Sequence, residues 1–380
     1  FVLQLLAILL WTRGDDIGLV FASQLALSIP IIVLVGCVFH RIALIGHESS
    51  HGLMFKSRMW NDVASDLLCF LPFWGSLSSY RKRHLGHHLH PNEEGKDPNL
   101  ANGKAEELFG RFPLKQPSSI YRYYGLFFWP PFVLKNLADL VKMLVMGKTA
   151  ASSEEKEKEK NSGLAMFGLA VAYLISLRLV LWQLEIHGSS WMQVLLPLVF
   201  HGLAVFGGIA LLPRRFFESK SAGSLNYDRK VAAALRMTVV ASILVTFSWS
   251  RAFLGFNPGR FYVFFWILPL LYVFPYLMLL REVYQHANLG TGKLDNSRII
   301  YADAFTRWAL LPYGNDFHLI HHLYPNIPHY SLKDVHQELI ATSESYRASL
   351  DEVHGTLKAP EGERSLAQAL SQSREERSAA

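Results

Sequence analysis

His84-Leu85-Gly86-His87-His88 and His318-Leu319-Ile320-His321-His322 are two copies of one spacing, and His47-Glu48-Ser49-Ser50-His51 adds a third histidine group. On a helix, residues three or four apart share a face, so each group aims two or three imidazoles at one point. A ninth histidine, His286, follows a long apolar stretch. Only 16 of 380 residues are histidine, so two identical His-x-x-His-His spacings are poorly explained by packing. Eight or nine converging imidazoles exceed the needs of one ion, and two metals are the natural number.

The chain is 51% hydrophobic and 13% aromatic, which places it among membrane proteins. Its two cysteines, Cys37 and Cys69, both sit in apolar contexts and exclude a disulfide framework. The formal charge of +6 is scattered, with no basic stripe interleaved with aromatics, so a membrane surface explains it better than nucleic acid.

Apolar segments near the 20 residues of a spanning helix occur at 18–39, 163–186, 191–212, 231–250 and 261–281, with 1–12 as a shorter partner of the first. Gly188-Ser189-Ser190 and Asn257-Pro258-Gly259 read as tight turns between spans. Four crossings between 163 and 281 put all nine histidines on one side of the membrane. The basic segments 213–230 and 80–83 make that side cytoplasmic, although Arg251 and Arg260 in the opposing loop and Arg178 inside a span fit the rule less well. Residues 60–80 and 118–147, broken by Pro72, Pro130 and Pro131, read as interfacial helices. Trp60, Trp74 and Trp129 read as interfacial anchors, or as lining for an apolar tunnel. Ser152–Ser162 reads as a solvated charged linker or exposed helix, and Ala359–Ala380 as a disordered tail. The chain starts at Phe1 inside an apolar run, which suggests a longer natural N-terminus.

With no sulfur ligands, iron–sulfur and cysteine-type zinc sites are excluded. Neutral nitrogen ligands leave the metals electron-poor, a setting that suits iron and dioxygen better than redox-silent zinc. His47-Glu48-x-x-His51 also matches the zinc-protease motif His-Glu-x-x-His. A membrane zinc metalloprotease is therefore a rival, but it leaves both His-x-x-His-His groups without a purpose.

The three groups occur in the order His-x-x-x-His, His-x-x-His-His, His-x-x-His-His. They carry the flanks Gly46 to Gly52, Asn61-Asp62, Tyr80-Arg81, Asp97-Pro98, Arg281-Glu282 and Asn315 to Pro328. In these residues the chain resembles the integral-membrane fatty acid desaturase family of the three-histidine-box di-iron superfamily. The resemblance covers about 40–330. It implies an all-α membrane protein, a bundle of about four to six transmembrane helices with a cytosolic, histidine-rich cap holding a di-iron centre. The implied domain is 1–340, with 341–380 as a partly disordered C-terminal tail. The implied ligands are His47, His51, His84, His87, His88, His286, His318, His321 and His322, with no catalytic residue beyond them. Glu282 stands where some relatives place an Asn that reaches the second iron through water, and is a possible tenth ligand.

The resemblance further implies an oxygen-dependent fatty acyl desaturase, an oxidoreductase using two iron ions (Fe2+/Fe3+) with O2 as co-substrate. Di-iron lipid or carotenoid hydroxylases and ketolases share such boxes and are the alternative. Because no haem-binding His-Pro-Gly-Gly stretch or cysteine cluster is present, electrons would come from an external donor, ferredoxin or cytochrome b5. Arg81-Lys82-Arg83 is the candidate docking segment. Asp97, Asn315 and Asp316 are candidates to hold ligand imidazoles by their second nitrogen. His90 is expected to be a supporting or solvent-facing residue, His329 and His336 to lie on the surface, and His40, His187 and His201 to be ordinary core histidines. The boxes are expected on the cytoplasmic or stromal side of a multi-pass protein.

Overall fold

The computed structural model describes residues 2–100, 112–132, 134–138, 153–187, 192–217 and 223–373. Helices dominate: α1 (Val2–Arg13), α2 (Phe21–Ser50), α3 (Arg58–Ser65), α4 (Leu77–Leu89), α5 (Tyr121–Gly125), α6 (Ser153–His187), α7 (Met192–Leu211), α8 (Arg229–Leu254) and the interrupted helix α9 (Pro258–His286). Beyond them lie β1 (Ile299–Tyr301), α10 (Ala304–Ala309), α11 (His318–Leu323), α12 (Leu332–Thr342), α13 (Glu344–Ser349), β2 (Glu352–His354) and α14 (Leu366–Ser371). Among the described residues α2, α8 and α9 are long and apolar enough to cross a membrane, and shorter apolar stretches lie in α1, α6 and α7. The expected spans therefore all fall on helices. The turn at 188–190 lies outside the described residues, as do 139–147 of the proposed interfacial segment and Ser152 of the charged linker. From Ser153 onward that linker forms the first turns of α6.

The chain divides into two compact units, the first built from 1–35, 57–79 and 135–269. In it α8 packs on α6 and α7, around Leu177, Leu181, Ala241 and Val245. Thr238, Ser242, Thr246 and Ser250 of α8 each donate a hydroxyl hydrogen to the carbonyl four residues back, which keeps these polar groups satisfied within an apolar helix. Asp228 caps the start of α8, accepting from Lys230 N (2.8 Å), and Gly255 closes it with φ 61°. Asn257 caps α9 ahead of Pro258, which is the turn expected at 257–259. Arg178 is explained by Glu185, two turns further along α6, whose carboxylate takes both guanidinium nitrogens at 3.1 and 3.4 Å. Arg251 of α8 approaches the same carboxylate at 3.7 Å.

A second polar knot in this unit joins α3 to the segment before α8. Buried Asp62 accepts from the backbone and side-chain nitrogens of Asn226 (2.8 and 2.9 Å). Buried Asp66 accepts from Leu77 N (2.9 Å), Arg236 Nη1 (2.9 Å) and the Tyr227 hydroxyl (3.2 Å). Removing one partner of a buried pair strands the other charge. Asp66→Ala is expected to destabilise this unit by about 3 kcal/mol, read as a lower midpoint of thermal unfolding in detergent, with Asp66→Asn falling in between.

The second unit comprises 36–56, 80–134 and 270–380. Gly36 of α2 meets Val273 of α9 so closely that an added Cβ would lie 2.3 Å from the valine Cβ, so only glycine permits this crossing. β1 and β2 form a two-stranded parallel ribbon, Ile300 opposite Val353. Ile300 N also donates to Asp316 O (2.9 Å), which anchors the backbone just ahead of His318. Beneath α11 lies the core of Ile299, Phe317, Leu319, Ile320, Leu332 and Tyr346.

Two expectations change here. His336, expected at the surface, is 1% exposed, hydrogen-bonded to Tyr346 Oη (2.7 Å) and Tyr301 Oη (3.0 Å). The amphipathic helix α12 that carries it packs its His336 face on this core. Residues 359–373, expected as part of a disordered tail, fold against the unit; 374–380 lie outside the described residues. Ser365 and Gln368 make a reciprocal capping box, Leu366, Ala367, Ala369 and Leu370 of α14 are buried, and Asn288 Nδ2 donates to Ala369 O (3.0 Å) and Gln372 O (2.9 Å).

Candidate metal centre

All nine box histidines belong to the second unit, and their ring nitrogens gather into two clusters. His47, His51, His84, His88 and His321 form one, and His87, His286, His318 and His322 the other, the nitrogens of each lying within 4.8 Å of one another. Helical periodicity explains the division. The pairs four apart, 47/51, 84/88 and 318/322, each stay within one cluster, while His87 and His321, three residues into their boxes, step aside to the opposite one. Each His-x-x-His-His box thus contributes to both clusters. The intervening Leu319 and Ile320 turn inward to the core, which fixes the roll of α11.

Nε2 atoms face one another throughout. In the five-histidine cluster His51–His84 is 2.8 Å, His84–His88 3.0 Å and His88–His321 3.0 Å. In the four-histidine cluster His286–His318 is 2.9 Å, His318–His322 3.2 Å and His87–His286 3.3 Å. Nε2 of buried His47 has no hydrogen-bond partner. Buried polar nitrogens without partners are costly. Nitrogens turned towards one shared point, lone pairs inward, are what a cation would satisfy, so the residues fit a metal in each cluster.

Burial holds these rings neutral. It lowers His84, His318, His321 and His322 well below the ordinary imidazole value, His51 to about 3 and His88 to about 2. Neutral imidazole is the metal-binding form, so at neutral pH no proton competes at these rings.

The supporting contacts explain how α4 and α9 present their histidines. Asp97 Oδ2 lies 2.8 Å from His87 Nδ1 and also accepts from Asn92 N (2.9 Å). Burial alone would raise the Asp97 carboxyl, but the hydrogen bonds from His87, Asn99 and Asn92 bring it below its usual value. Gly86 permits this, since an added Cβ would lie 2.9 Å from the Pro98 ring. Asn296 O takes His286 Nδ1 (3.0 Å), and Asn92 Nδ2 donates to the same carbonyl (2.8 Å). Arginine caps the helix ends: Arg81 donates to Ser50 O (3.0 Å) and Ser49 O (3.3 Å), and buried Arg298 to Tyr284 O (2.8 Å) and Ala287 O (2.9 Å).

Asn92, Asn296 and Arg298 carried no motif signal. Asn92 is visible only as a residue suited to positive φ (61°) just after the second box. Asp97 takes its expected place, whereas Asp316 instead pairs with Arg307 (3.0 Å) and Asn315 accepts from Gln285 Nε2 at its carbonyl (2.7 Å), so neither holds an imidazole. Glu282 lies outside both clusters and accepts from Asn99 Nδ2 (3.2 Å).

Glu48 lies 3.7 Å from His47 Nδ1 and is engaged by His329, whose N donates at 3.2 Å and whose Nδ1 lies 3.4 Å away. It is therefore not a free general base, and His51 is shared with three further histidines, which argues against the zinc-protease reading. His90 faces solvent beside Glu93, outside both clusters, and His40 is a core histidine on Ala309 O (3.1 Å). Arg81, expected to help dock an electron donor, is buried against α2, which leaves Lys82 as the exposed member of that run.

A helical membrane protein with two imidazole clusters in one unit is the architecture of the membrane di-iron oxidoreductases. The sequence pattern of the fatty acid desaturase family matches residues 24–217 and 182–354, and the chain belongs to that family. It is also similar to beta-carotene 4-ketolase 3 of Haematococcus lacustris, 23% identical over 127 residues, which is 33% of this chain and 39% of the ketolase. The chain thus spans about two fifths of that curated relative's length.

Two outcomes follow. Asp97→Ala should weaken metal retention about 10- to 100-fold in chelator competition, with Asp97→Asn milder. Acid should unfold the second unit early. The unfolded chain takes up protons below about pH 6.5, whereas His51 and His88 in the fold resist until about 3 and 2. Stability is therefore full above about pH 6.5 and falls as the pH drops from there towards 3, measurable by thermal melts across pH.

Proposed function

We propose that this protein is an oxygen-dependent fatty acyl lipid desaturase with two iron ions, one in each histidine cluster. The observation that carries the reading is the family match over most of the chain, combined with nine histidines gathered into two metal-sized clusters. The nine ligands are His47, His51, His84, His88 and His321 for one iron, and His87, His286, His318 and His322 for the other.

The spacing of the nitrogens supports iron over zinc. Two nitrogens about 2.1 Å from one ion lie about 3.0 Å apart at right angles and about 3.4 Å apart in a tetrahedron. Four of the six facing pairs, at 2.8 to 3.0 Å, are nearer the first, and the other two, at 3.2 and 3.3 Å, fall between the two values. When bound, the irons would supply dioxygen reduction. One O2, two electrons and two protons, with two hydrogens removed from adjacent acyl carbons, give a C=C bond and two waters.

The chain's own residues perform the rest. Asp97 and Asn296 O hold His87 and His286 by Nδ1. Arg81 and Arg298 fix the ends of α2 and α9, so their ligands keep one orientation. The two electrons would come from an external carrier, ferredoxin or cytochrome b5. By the positive-inside pattern the boxes would face the cytoplasm or stroma.

The ketolase likeness favours a second reading within the superfamily, oxygen insertion into a carotenoid or lipid C–H bond. Expression in a host with defined lipids and β-carotene separates the two. New double bonds in total fatty acids support the first reading, and ketocarotenoids or hydroxylated lipids the second. Purified wild type should carry about two irons per chain, with His87→Ala and His321→Ala each losing metal; about one zinc per chain, unchanged in both variants, would overturn both readings.

A further inference from the structure

Helices α2 and α9 bring histidines to the centre, and each carries an arginine shortly before it does so. In α9 the twenty residues from Phe261 to Leu280 are uncharged, bounded by Arg260 and Arg281. In α2 no Asp, Glu, Lys or Arg stands between Phe21 and Arg41. At 1.5 Å per residue each twenty-residue stretch rises about 30 Å, the thickness of a bilayer's hydrocarbon core. Arg41 thus marks the level at which α2 leaves the hydrocarbon. His47 follows six residues later, about 9 Å further along the axis.

At that level Arg41 is surrounded by aromatic residues. Its Nη1 donates to Trp308 O (2.9 Å), and its guanidinium carbon lies 5.7 Å from the Trp308 ring centre and 4.9 Å from that of Tyr313. The row continues through ring contacts: Phe305 to Trp308 (6.3 Å), Tyr313 to His329 (5.4 Å) and His329 to Tyr330 (5.5 Å). Phe305 is 67% and Tyr330 74% exposed. A monomer surface rarely leaves two such rings in water beside a Trp and an Arg. Trp, Tyr and Arg at the end of a spanning stretch form the composition that anchors in lipid headgroups.

We propose that the short helix α10 and the Tyr330 turn are a membrane-contact surface. Phe305 and Tyr330 insert at the headgroup–acyl boundary, and Arg41 serves lipid phosphate from the same level. The occupant is the lipid surface, because Arg41 lies one bilayer thickness along α2 and its charge complements phosphate. This surface would hold the third histidine box at a fixed depth, since α10 and α11 are joined by only eight residues, 310–317. The inference depends on the membrane spans and not on the identity of the metals or the substrate.

The test uses full-length protein with its metals, in phosphatidylcholine–phosphatidylglycerol nanodiscs. Cys37 and Cys69 are both buried, so a nitroxide can be placed at Phe305→Cys and Tyr330→Cys, with exposed Glu338→Cys as the aqueous control. Metal content shows which variants are folded, and Trp308→Cys stands in for either of the first two if one is not. Relaxation of the 305 and 330 labels by membrane-dissolved oxygen in preference to an aqueous nickel chelate, with the reverse at 338, supports the proposal. Equal access of the nickel chelate to 305, 330 and 338 overturns it. So does protection of 305 and 330 that appears only when a soluble electron-transfer protein is added, since that would make the patch a protein-docking surface.

Discussion

Nine imidazoles brought within a few ångströms of one another in a buried volume are the constraint on which the second unit is built. The rings of His84, His318, His321 and His322 lose water, and desolvation drives their proton affinities down until they are neutral. In a neutral ring Nε2 is either a donor or an acceptor, so a ring that faces several others through Nε2 cannot satisfy them all. The arrangement persists because rigid elements around it over-determine every ring position. Fold and histidine clusters are therefore one problem in this molecule.

The over-determination is visible at each ligand-bearing element. α2 and α9 cross at Gly36 and Val273 without an intervening side chain, so their paths are fixed before either reaches its histidines. Each helix then ends under a guanidinium, Arg81 on the carbonyls of Ser49 and Ser50, Arg298 on those of Tyr284 and Ala287. Arg298 is in turn tied to Asp351, which also receives Arg364, so residues folded after β2 brace the end of α9. α11 has too few residues to be stable alone, and it depends on the β1 backbone and the Leu319–Ile320 core beneath it.

The histidine boxes and the spanning stretches were legible in the sequence because they rest on local periodicity, which one chain displays in full. The division of histidines between clusters followed from the same periodicity, but only once α2, α4, α9 and α11 were set around a common point. What stayed hidden depends on long-range pairing. Glu282 sits one turn before His286, and its partner Asn99 donates to it from 183 residues away. Asp316 borders the third box, but its backbone carbonyl accepts from Ile300 of β1 and its buried side chain pairs with Arg307. Residues 359–373 looked like a tail by composition, since small and charged residues dominate, and their few apolar side chains are the ones α14 buries.

The two clusters differ in more than ligand number. In the four-histidine cluster His87 leans on a carboxylate and His286 on a carbonyl, and Asn92 links the two supports by bonding Asp97 and Asn296 together. Beside the five-histidine cluster, the carboxylate of Glu48 stands 3.7 Å from His47 and is occupied by His329. A carboxylate on the far nitrogen makes an imidazole a stronger donor, so a cation among His87, His286, His318 and His322 meets more electron density than one among the other five. Two like ions in these clusters would thus be chemically unlike. That inequivalence is a property of the protein's second layer of contacts and not of the histidine motif, which reads almost the same in both boxes.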